Sequence, residues 1–85
     1  GNRVYVIGNV NNPGVYGFSK RLDVMQALTL AGGIGKFAEA RDIRILRRED
    51  DGTQRTLAFD YAAVTRGRAL EQNVLLASGD VVVVP

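Results

Sequence analysis

Cysteine and histidine are both absent from this chain of 85 residues. Without cysteine there is no disulfide framework, and without either residue the usual ligands of zinc, copper and haem are missing, so no metal and no other cofactor is expected. The lack of histidine also leaves Ser19 and Ser78 with no base to activate them. None of the nine carboxylates falls into a recognisable acid and base pair, and the chain reads as a non-enzyme with no catalytic residue. No apolar run approaches the length that crosses a bilayer, and no signal peptide opens the sequence. Charge of one sign is scarce too: the net charge is +2, scattered along the chain, and does not demand a nucleic-acid partner although the isoelectric point is basic. The length suits one domain with an adequate but modest core. The opening Gly1 and the closing Pro85, which directly follows a strand, read as the ends of one domain excised from a longer protein.

The segment from Leu22 to Gly33 is the clearest helix. Asp23 is a good N-cap, and Gln26 stands three residues later, where its side chain closes a capping box. Val24, Ala27, Leu28 and Ala31 fall on one apolar stripe, and Gly32 and Gly33 end the helix because a residue without Cβ enters the left-handed region freely. A helix over about 23–31 is too short to persist alone in water, so the rest of the chain must hold it.

Strands flank it. Arg3 to Val10 is β-branched and aromatic, with Val4, Val6, Gly8 and Val10 on one face and Tyr5, Ile7 and Asn9 on the other. Asn11-Asn12-Pro13-Gly14 is a turn, and Val15 to Phe18 returns as the second arm of a hairpin. Ile34 to Ala40 reads as a loop. Asp42 to Arg48 is a third strand, with Ile43 and Ile45 pointing one way and Arg44 toward solvent. Asp51-Gly52 centres a second hairpin turn, and Arg55 to Phe59 is a fourth strand. Asp60 caps a short helical turn over 60–64, released at Arg66-Gly67. Val74 to Leu76 is a short extended piece, and Ser78-Gly79-Asp80 a turn. Val81 to Val84 is an unbroken valine run suited to a strand covered on both faces.

This order predicts an α+β chain of the β-grasp type: a mixed sheet of about five strands wrapped around one helix. Its first and last strands lie side by side and parallel in the middle.

Three blocks of the sequence resemble a known family. They are Val4-Tyr-Val-Ile-Gly-Asn-Val10 with Asn12-Pro-Gly-Val-Tyr16, then Leu28-Thr-Leu-Ala-Gly-Gly-Ile34, then Leu75-Leu-Ala-Ser-Gly-Asp-Val-Val-Val-Val-Pro85. Together, in that order and over nearly the whole chain, they are similar to the SLBB domain, the soluble-ligand-binding β-grasp. Within it they resemble the form found in outer-membrane polysaccharide export proteins of Gram-negative bacteria. The resemblance implies a single SLBB domain over 1–85 in the periplasm, part of an outer-membrane protein or lipoprotein. It also implies repetition around the ring of an oligomeric exporter of capsular or extracellular polysaccharide, with an inner-membrane polysaccharide co-polymerase as partner. The domain itself inserts in no membrane. The shorter relatives in DNA-uptake proteins fit less well, since the helix-hairpin-helix unit that binds their DNA is absent here.

Candidate binding residues are weighed against plainer roles. Gly32-Gly33-Ile34-Gly35 lacks the Lys-Ser/Thr of a nucleotide loop and ends a helix instead of starting one, so it is set aside. Arg41, Arg44, Arg47, Arg48 and Arg55 form the largest concentration of positive charge, partly answered by Asp42, Glu49, Asp50 and Asp51. Such a cluster is ordinarily the solvated face of a hairpin, yet arginine forks match the carboxylates of acidic polysaccharides bidentately. Tyr5, Tyr16 and Tyr61 are half-buried packing residues or sugar-stacking platforms. Asn9, Asn11, Asn12 and Tyr16 are expected to form a polar and aromatic rim for sugar or for a neighbouring subunit. Two functions are carried forward: a non-catalytic ring module lining or contacting an export passage, and a monomeric glycan-binding module.

Overall fold

The computed structural model describes all of Gly1–Pro85. Five strands, β1 (Asn2–Gly8), β2 (Gly14–Phe18), β3 (Ile43–Arg48), β4 (Gln54–Phe59) and β5 (Val81–Val84), form one mixed sheet in the order β2-β1-β5-β3-β4. The first and last strands are the parallel pair, with Tyr5 opposite Val81 and Gly8 opposite Val84. All other pairings are antiparallel. Helix α1 (Val24–Leu30) lies on one face, as a β-grasp requires, and a short α2 (Tyr61–Thr65) follows β4. No helix is long and apolar enough to cross a membrane.

The core follows from alternation. Val4 and Val6 of β1, Ile43 and Ile45 of β3 and Val82 and Val84 of β5 are buried on the helix side, where they meet Val24, Ala27, Leu28 and Ala31. Each such side chain contributes on the order of 1.5–3 kcal/mol by leaving water, which is what a helix of seven residues lacks on its own. Its ends are tied as well. Gln26 N donates to Asp23 Oδ1 at 2.8 Å while Asp23 N donates to Gln26 Oε1 at 2.9 Å, closing the capping box. At the other end Gly32 N donates to the Thr29 carbonyl and Gly33 N to the Leu28 carbonyl, a Schellman motif made possible by positive φ at both glycines.

Two parts differ from the sequence expectation. β1 stops at Gly8 instead of running to Val10, because Gly8 takes φ +97° and turns the chain. Only glycine fits there, since a Cβ would stand 2.0 Å from the Val84 carbonyl oxygen. Val10 is buried all the same, paired in a single bridge with Ile34. The return from α2 to β5 also holds an element the sequence does not announce: ahead of the extended Val74–Leu76, where Leu75 bridges to Asp23, Leu70–Gln72 forms a 3-10 turn entered through a left-handed Ala69. From it Asn73 Oδ1 accepts the free Met25 N at 3.0 Å, and Leu76 N donates to the Leu22 carbonyl, so this return holds the start of α1.

Candidate functional site

The arginines of the β3-β4 hairpin are committed to partners in their own chain. Arg44 pairs with Asp42 at 2.9 Å, Arg55 pairs with Glu49, and Arg48 donates to the Gly52 carbonyl at 2.6 Å. Arg47 is the most enclosed. Its guanidinium grips Asp80 through Nε and Nη2, the latter at 2.8 Å, and also donates to the Leu75 carbonyl. The Asp80 residue is 1% exposed, and its Oδ2 accepts Ala77 N at 2.8 Å as well. A buried carboxylate with a bidentate guanidinium and a backbone donor is a satisfied ion pair, here locking the turn before β5 onto β3. The hydrogen bond to Asp80 is the main cause that raises Arg47 above the ordinary arginine pKa, with desolvation opposing it. The sequence treats Asp80 as a turn residue only, and nothing in its spacing from Arg47 announces the pair.

The rim is brought together around the C-terminus of α1. Asn12 N donates to the Ala31 carbonyl, Asn11 N to that of Gly33, and Asn11 Nδ2 to that of Gly32 at 2.5 Å. Tyr16 donates its hydroxyl to the Asn12 carbonyl, closing the β1-β2 connection. Asn9 accepts Gly35 N through its carbonyl and is exposed. The first of these contacts satisfies the carbonyl of Ala31, the C-cap of α1, and the next two those of the glycine turn that follows it. What the rim offers outward is the Asn9 side chain and the solvent side of the asparagines.

The sequence profile of the SLBB domain matches residues 2–84. This chain belongs to the SLBB domain family. A comparison with characterised proteins finds no significant match. The SLBB family is one of polysaccharide-binding and export-type modules. In this SLBB domain several polar side chains have structural work: Asp23 and Asp60 cap helices, Asp80 holds Arg47, and Ser78 Oγ accepts Arg3 N at 3.2 Å. No three of its acidic side chains converge as metal ligands.

Two surfaces of the SLBB domain bear on its function. The first is the sheet face opposite α1. Across it Val15, Tyr5, Val81 and Leu46 stand in register, with Ile7 and Val83 in the next row. Tyr5, Ile7 and Val15 are 36–54% exposed there. The second is a cleft of about 190 Å³ lined by Arg41, Arg66, Arg68, Asp60, Ala62 and Ala63. It separates Arg41 from the hairpin arginines with which the sequence groups it, and brings in Arg66, which the sequence reads only as the end of a helical turn, and Arg68, which the sequence does not single out. A further feature outside the expected set is Phe37, 84% exposed, with Lys36 Nζ 5.9 Å from its ring centroid.

Proposed function

We propose that this SLBB domain is a non-catalytic module of a periplasmic polysaccharide export protein, repeated around a ring, and that the open face of its sheet meets the neighbouring copy. The observation that carries this reading is the double apolar row Val15-Tyr5-Val81-Leu46 and Ile7-Val83, in which Tyr5, Ile7 and Val15 are exposed and the other three partly so. Contiguous apolar surface of this kind marks interaction sites more often than isolated exposed residues do. Arg44 beside Asp42 at its margin presents both signs of charge, which suits a surface that is met by another copy of the same chain. An inner-membrane co-polymerase would deliver the polysaccharide to such a ring.

The test is made in the full-length protein. Ile7→Glu together with Val15→Glu is expected to convert the ring to smaller species in sedimentation velocity while circular dichroism stays unchanged. A ring that persists with a folded double variant removes this face from the contact, and a full-length protein that never oligomerises removes the ring itself. The second reading, capture of glycan by a single copy, is favoured by the arginine cleft.

A further inference from the structure

We infer that the cleft between Arg41, Arg66, Arg68 and Asp60 is a binding site for an acidic sugar, its carboxylate held by the arginines and its hydroxyls by Asp60. The inference rests on the polysaccharide reading and gives that reading a ligand class and a place.

Four observations carry it. The guanidinium groups of Arg41, Arg66 and Arg68 make no ion pair and no hydrogen bond, whereas Arg44, Arg47, Arg48 and Arg55 all do. The backbone that carries them is fixed. Arg66 N and Arg68 N both donate to the Ala63 carbonyl, at 3.0 and 2.9 Å, so the two arginines leave one turn, and Gly67 between them takes φ +77°. Tyr61 N donates to the Ala40 carbonyl at 2.8 Å, which sets Arg41 beside α2. Cations gathered on an ordered backbone lose less freedom on binding than mobile ones.

The fourth observation is Asp60. One of its oxygens caps α2 by accepting Ala63 N at 3.0 Å, and the residue is part of the cleft's lining. The arginines attract any anion, but a bare phosphate or sulfate offers Asp60 few hydrogens or none to accept. A ligand bearing a carboxylate and neighbouring hydroxyls uses both kinds of group, since guanidinium donates in a fork to carboxylate and a carboxylate accepts from hydroxyls. Ala62 and Ala63 leave a small apolar floor for a ring. The volume, about 190 Å³, lies below the roughly 300–1,000 Å³ of sites for larger ligands, so one sugar unit is the scale of what is held.

The experiment follows backbone amides and arginine Nε–Hε signals of the 85-residue chain by NMR while trigalacturonate, maltotriose or inorganic phosphate is added. Trigalacturonate is expected to shift Arg41, Arg66, Gly67 and Arg68. Maltotriose should shift none of them, and phosphate should bind at least about tenfold more weakly. Arg66→Gln with Arg68→Gln should weaken trigalacturonate about tenfold or more, the scale of a lost charge-assisted hydrogen bond, whereas Arg44→Gln should leave it unchanged. Asp60→Asn keeps a good helix cap and should raise phosphate affinity while narrowing the preference for uronate. Phosphate binding as tightly as trigalacturonate would reduce the cleft to a plain anion trap. Trigalacturonate shifts confined to other residues would overturn this site and leave glycan binding standing. The absence of shifts with either saccharide would overturn both, with the ring still decided by its own sedimentation test.

Discussion

At the scale of single residues, the pair Arg47 and Asp80 shows how a charge cluster divides into structural and available members. Asp80 is enclosed, and Arg47 is its main compensation, at 2.8 Å. Asp80→Ala leaves a half-buried guanidinium without its fork and Ala77 N without an acceptor. We expect it to destabilise the fold by about 3 kcal/mol in urea unfolding, the range for breaking a buried pair. Because Arg47 is raised in the folded state, its contribution is complete below the ordinary arginine pKa and fades only as pH climbs through the raised value, so neutral pH leaves it intact. Asp51 behaves in the opposite sense. The Thr53 hydroxyl, and then the Thr53 amide, hold its carboxylate below the ordinary aspartate value. Its contribution is therefore present above that value and lost as pH falls through the lowered one. Carboxyl-carbon titration should place the Asp51 midpoint below that of free aspartate, and Thr53→Ala should move it upward. An unmoved midpoint would mean that Thr53 is not the cause.

Among the elements, what was legible in the sequence is what local chemistry controls. The capping box of Asp23 and Gln26, the glycine stop of α1, the Asp51-Gly52 turn and the Asp60 cap are all written within a few residues, and each forms. The valine run paired with β1 was legible because a strand apolar on both faces has to lie in the middle of a sheet. What the sequence hid depends on distant partners. The bend at Gly8 is set by the Val84 carbonyl, and Arg47 is set apart from the other arginines by meeting Asp80, 33 residues on, across the fold. Of the expected site, Asn11, Asn12 and Tyr16 do come together, but Asn11 and Asn12 are bonded to the turn that ends α1 and Tyr16 to the Asn12 carbonyl. Leu28→Ala, at a position 1% exposed under the sheet, should lower stability by about 2–5 kcal/mol in thermal unfolding. Gly8→Ala should cost at least about 2 kcal/mol, since it adds both a strained φ and a clash with backbone. A neutral Gly8→Ala would show that the seam between β1 and β5 can yield at that end.

For the whole molecule, association and order along the chain are the measurable quantities. A contact shared with other parts of a ring loses most of its area when one domain stands alone. The isolated chain should therefore be monomeric at micromolar concentration, with a scattering radius of gyration close to the Cα value of 12.0 Å. A tight closed oligomer of this chain alone would contradict that expectation. Amide exchange should be slowest in β1, β5 and β3, the inner strands, and fastest in β2 and β4 at the edges. The parallel seam also decides how the domain bears load. β1 and β5 run the same way, and the chain enters beside Gly79 and leaves beside Glu39, at opposite ends of that seam. A pull on the two termini therefore slides the central strands lengthwise past one another, straining their cross-links all at once, where a hairpin pulled at its open end would unzip them singly. Stretched between handles at Gly1 and Pro85, the domain should act as a mechanical clamp.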